Sequence, residues 1–178
     1  MKHLFLLTAL SVVLFSCNGN KKTESVGKED VNTSVAEIPV FELDDLLLVA
    51  EQQLDKTVKV VGNVTHTCKH AGKRCFITGE SQQSSMRVEA KGDIGGFNRE
   101  LVGSKLEITG VLKERRLTKE YIAQMEQDVE IKKQEDGSAE SCDAEQSNIN
   151  DMRRWMKEHN REYYSIFYLD GLDYISLE

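Results

Sequence analysis

Hydrophobic positions follow two different periods after Val40. Phe41, Leu43, Leu46, Leu47, Leu48, Ala50 and Leu54 recur among acids and glutamines, and their spacing predicts an amphipathic helix that starts near Glu42 or Asp44. Period two then takes over. Val58, Val60, Val64 and His66 share one parity and Lys59, Asn63, Thr65 and Thr67 the other, which predicts a strand over 56–67 with Gly62 marking a bulge or bend. A turn centred on Ala71 and Gly72 leads into a return strand over 74–78, and 85–90 reads as a third strand. Residues 92–101 hold Gly95, Gly96 and a short helical piece that stops at Gly103; a fourth strand covers 105–112. The pattern turns helical over 118–131, is loop-like over 134–141, and is helical again over 143–160, with Ile149, Met152, Trp155 and Met156 on one side. The last stretch, 163–177, is β-prone, and Asp170 with Gly171 reads as a hairpin turn between two closing strands.

The first sixteen residues have a different character. Residues 4–15 are apolar except for Thr8 and Ser11, and Lys2 and His3 precede them. The run is too short for a bilayer span, which takes about 20 apolar residues, and reads as a secretory signal. Leu14, Phe15, Ser16 and Cys17 resemble a bacterial lipobox, with Phe15 bulkier than is usual at its position. That resemblance implies cleavage after Ser16, lipidation of Cys17 and a membrane anchor. The polar stretch that follows, with few large apolar residues, reads as a flexible tether, so the expected organisation is a signal peptide over 1–16, lipidated Cys17 and tether over 17–39, and one domain over 40–178 with a helical insertion at about 118–160. Lys21 and Lys22 stand where surface-exported lipoproteins of the Bacteroidetes type carry acids. By that resemblance the chain is expected in the cell envelope, anchored to the outer membrane and facing the periplasm.

Composition narrows the function classes. The 178 residues carry 23 Lys and Arg against 30 Asp and Glu, a formal charge of −7, and 30% of them are charged. That excludes a multi-span membrane protein, and it disfavours general polyanion binding, which needs clustered cations to displace counterions. The single Pro excludes collagen-like chains.

The element order is helix, three strands, a short helix, a strand, a helical insertion and closing strands. With the Val-x-Val-x-Gly of 58–62 and the Leu-x-Ile-x-Gly of 106–110, it resembles the OB-fold. The expected fold is therefore mainly β: an OB-fold-like five-stranded barrel with an N-terminal helix and a helical insertion before the last strands. The segment is similar to bacterial lipoproteins with an OB-like domain of the tRNA-anticodon-binding type, a group without a defined activity.

Candidate chemistry concentrates in the hairpin over 66–75, which holds His66, Cys68, His70 and Cys75 among Lys69, Lys73 and Arg74. With the turn centred on Ala71 and Gly72, Cys68 would face Cys75 at about 4.5–5.5 Å between α-carbons, within reach of a disulfide. Two imidazoles and two thiolates also make a sufficient donor set for tetrahedral Zn²⁺. However, three ligands along a straight strand span about 13 Å, so Cys68, His70 and Cys75 form the easier set. A third alternative is a polar rim hairpin with reduced cysteines packed as small hydrophobes. Gly72, Lys73 and Arg74 could hold a small anion by charge and exposed amides. Cys142 reads as a spare thiol or as a fourth ligand. No nucleophile elbow, phosphate-binding loop or Cys-x-x-Cys motif occurs, and no residue set carries a catalytic assignment.

The expected function is a lipid-anchored binding or accessory module, not an enzyme, with a metal ion or small anion at the hairpin. Its partners would be the membrane, through the anchor, and a small ligand or envelope protein. A periplasmic thiol-dependent redox or metal carrier is the alternative. Oligonucleotide or oligosaccharide binding ranks below both, and an anchored exported protein meets little nucleic acid.

Overall fold

Strand β2 (Thr57–Thr67) is the seam of the molecule. The structure, a computed structural model, describes residues 37–69, 71–136 and 139–177. The expected signal peptide, Cys17, the tether as far as Ala36, and His70 lie outside the described residues. On one edge β2 pairs antiparallel with β3 (Arg74–Thr78), which pairs with β4 (Ser85–Ala90). On its other edge it pairs antiparallel with β5 (Lys105–Thr118). Strand β6 (Tyr163–Leu177) joins β4 in parallel and β5 in antiparallel fashion, so β2 to β6 close into a five-stranded barrel. This ring is the OB-fold order, and the molecule is a mainly β, OB-fold-like barrel with helical additions.

Alternation explains the barrel interior. Val58, Val60 and Val64 of β2, Cys75 and Ile77 of β3, Met86 and Val88 of β4, Leu106, Ile108 and Leu112 of β5, and Leu169 of β6 are buried in one core. Each such side chain contributes about 1.5–3 kcal/mol on burial. Ile94 and Phe97 close one end, from a connection whose only helical turn is the 3-10 segment Arg99–Leu101.

Among the described residues a short strand precedes the expected helix, which forms in two pieces. Strand β1 (Val40–Glu42) pairs in parallel with Lys59, Val60 and Val61 of β2. Helix α1 (Leu43–Leu48) follows, with Asp44 and Asp45 in its first turn, where carboxylates oppose the positive end of the helix dipole. Its buried face is Leu43 and Leu46, and α2 (Ala50–Gln53) continues past a break at Val49 with Ala50 inward.

Two other expectations change. Asp170 and Gly171 are not a turn, and β6 is one strand of 15 residues. Its neighbours hold this stretch extended: Asp170 pairs with both Glu89 and Val111, and Gly171 with Ala90 and Gly110. The polar segment at 134–141 is mostly helical. Helix α3 (Lys119–Asp136) and helix α4 (Ala139–Glu158) run into it from either side. The pairs Lys132–Glu145 and Arg153–Glu126 link α3 and α4 in antiparallel order.

The β5–β6 pairing extends through Thr118 and Tyr163, well past the barrel core, and the helical hairpin sits on this extension. Leu117, Ile122, Val129, Cys142, Ile149, Met152 and Met156 form a second core there, with Trp155, Tyr164 and Ile166 against it. Among the described residues no helix is long and apolar enough to cross a membrane.

Candidate ligand site at the barrel end

The hairpin that joins β2 to β3 owes its form to a bulge. Val64 pairs with Ile77 and His66 with Phe76, so Thr65 is an extra residue. An inserted residue reverses the facing of everything after it. Val64 points into the core, Thr67 is buried, and His66 is exposed although it shares the parity of Val64.

The same shift alters the expected cysteine geometry. Thr67, not Cys68, stands opposite Cys75. Cys68 lies beyond the end of the strand, half-buried, and its amide donates to the Arg74 carbonyl at 2.9 Å. Both cysteines are free thiols. Cys75 is fully buried in the barrel core, and burial pushes its thiol up to about 12. His66 is on the outer wall, where its ring lies 6.1 Å from that of Phe76. Cys142 belongs to the helical core. Among the described residues, no three His, Cys, Asp or Glu side chains are grouped to hold a metal ion.

The tip is docked, not free. Gly72 adopts a left-handed backbone (φ 59°), and its carbonyl accepts from the Phe97 amide at 2.7 Å. A β-carbon at Gly72 would lie 2.7 Å from the Phe97 carbonyl oxygen, so only glycine fits without strain. Lys73 donates to the Gly95 carbonyl at 2.6 Å, and Arg74 pairs with Glu89 at 3.2 Å. Of the expected anion-binding set, therefore, Gly72 lines the opening between the two loops, while Lys73 and Arg74 are engaged elsewhere.

That opening is a shallow depression of about 430 Å³, lined by Cys68, Lys69, Gly72, Gly96, Asn98 and Arg99 among others. Lys69 and Arg99 have no acidic partner among the described residues. Sequence reasoning missed Arg99. Its signal was a cation close behind Gly95 and Gly96, a segment able to approach the hairpin backbone to backbone.

A second feature runs around the barrel wall from the hairpin. His66, Phe76, Arg87, Tyr168 and Lys113 stand in one cross-strand line over β2, β3, β4, β6 and β5. The Arg87 guanidinium lies 5.0 Å from the centre of the Tyr168 ring, within cation–π range, and its Nε is 3.0 Å from Glu89 Oε1.

No protein-family model matches the chain. No curated protein matches it in sequence. Among solved structures, one described as an aspartyl-tRNA synthetase from Leishmania major Friedlin aligns with 47% of this chain and 17% of its own, at 19% identity and a TM-score of 0.34. The barrel assignment rests on the strand order and its closure, which are independent of that likeness.

Proposed function

We propose that this chain is a lipid-anchored, envelope-facing binding module of the OB-type lipoprotein kind, and that its barrel end takes a small anion. The observation that carries the reading is that Lys69 and Arg99 both line the depression between the two loops, both without an acidic partner among the described residues. Two cations on separate loops, with glycine backbone between them, suit a phosphate- or sulfate-sized group. The metal reading draws less support, because Cys75 and His66 sit on opposite sides of the barrel wall. The thiol-redox reading draws less still, because a thiol pushed up to about 12 is protonated at neutral pH and is a poor nucleophile.

The test is calorimetric titration of inorganic phosphate and sulfate into the purified protein, its Lys69→Gln and Arg99→Gln variants, and a zinc assay of the same preparation. Saturable anion binding that weakens about tenfold in each variant is expected, since charge-assisted hydrogen bonds are the strong ones. Stoichiometric zinc that leaves with chelation would replace this reading with the metal one.

The line from His66 to Lys113 favours a second reading, an oligosaccharide or oligonucleotide laid across the wall, in which rings and a guanidinium supply stacking. Phe76→Ala would abolish such binding and leave phosphate affinity unchanged.

A further inference from the structure

At the foot of the helical hairpin, the start of α3, the end of α4 and the connection into β6 enclose a cavity of about 380 Å³. Four cations line it: Lys119, Arg153, Lys157 and Arg161. Its apolar floor is Ile122 and Met156, both buried members of the helical core.

Charge compensation decides what the cavity can take. Lys119 is paired with Glu162, Arg153 with Glu126 at 2.7 Å, and Arg161 with Glu51 at 2.7 Å. Lys157 has no acidic partner among the described residues. One positive charge is therefore uncompensated. The two helix ends do not alter the balance, because the positive pole of α3 and the negative pole of α4 meet at the same place. A singly charged group can enter without breaking an existing ion pair, whereas a doubly charged group would have to displace a glutamate. The apolar floor, extended by the methylene stems of the lysines and arginines, adds a requirement for a hydrocarbon portion.

We infer that this cavity is a second ligand site, separate from the barrel end, for a monocarboxylate with a short hydrocarbon tail, its carboxylate on Lys157 and its tail on Ile122 and Met156.

The methionine methyl groups supply the readout. Met156 lies in the cavity floor, and Met86 lies in the barrel core. The full chain, labelled at methionine methyls, is titrated with hexanoate and separately with inorganic phosphate. The expected result is a saturable shift of Met156 with hexanoate, no shift of Met86, and about tenfold weaker binding in Lys157→Gln, whose exposed position leaves folding intact. Lys69→Gln should bind hexanoate as the parent does, which separates this site from the one at the barrel end. Absence of a saturable Met156 shift would overturn the proposal. So would phosphate binding as tightly as hexanoate, or a hexanoate affinity unchanged in Lys157→Gln.

Discussion

The carboxylate of Asp44 lies directly over the α-carbon of Gly79. Asp44 is in the first turn of α1, and Gly79 opens the connection from β3 to β4, so the contact fastens the N-terminal helix to the barrel. The Ser81 amide donates to the same carboxylate at 3.3 Å. A methyl group at residue 79 would collide with it. Gly79→Ala should therefore destabilise the protein by about 1–3 kcal/mol, the usual cost of overpacking. In a chemical-denaturation cycle, Asp44→Ala should recover part of that loss, because contacting residues are not additive.

Asp44 also makes stability depend on acid. The Ser84 hydroxyl first, and then the Ser81 amide and hydroxyl, hold its carboxyl below the ordinary carboxylate range, against the opposing effect of burial. A depressed folded-state pKa contributes stability that is present above the unfolded value of about 3.9 and disappears as pH falls through the folded value. Denaturation midpoints of the parent and of Asp44→Asn should differ at neutral pH and converge in strong acid.

The cysteines should separate by reactivity. Cys68 is half-buried at the hairpin tip, Cys75 is sealed in the barrel with its thiol near 12, and Cys142 is buried between helices. Brief alkylation of native protein near pH 8, followed by peptide mapping, should label Cys68 well ahead of Cys75 and Cys142. Prior denaturation should equalise the three.

The two cores should be separable as well. Ile149 is fully buried in the helical core and takes no part in the barrel core. Ile149→Ala should cost about 2–5 kcal/mol locally. Amide exchange is the measurement: α3 and α4 should lose protection while β2, β3 and β4 keep theirs.

Residue 72 gives the most direct test of the barrel-end site. Gly72→Ala meets both a left-handed backbone and the Phe97 carbonyl. It should undock the hairpin tip and abolish phosphate binding, while the far-ultraviolet circular dichroism of the barrel is retained.

Much of the fold was legible because each strand obeys its own local period. The valines of β2 and the Leu106, Ile108 and Leu112 series announce a buried face without reference to anything distant. What escaped depended on partners far away in sequence. Val40–Glu42 is extended because β2 offers it a free edge, and Asp170 and Gly171 stay extended because two strands pair with them at once. At the candidate site, the sequence marks the hairpin and Gly72 as candidates by residue type alone. The engagement of Lys73 by Gly95 and of Arg74 by Glu89 is a matter of tertiary position, which local pattern does not carry. Arg99 was invisible for the same reason.

Thr65 carries a consequence beyond its own place in the wall. It is the odd step that turns His66 toward water and hands Thr67 to the interior. Excising that single residue would restore an unbroken in-and-out count with the histidine still outside and Thr67 still inside, whereas the same residues without the bulge would send the histidine inward and present a threonine where a ring now stands. The surface chemistry of this end of the molecule is thus written in the number of residues as much as in their kind.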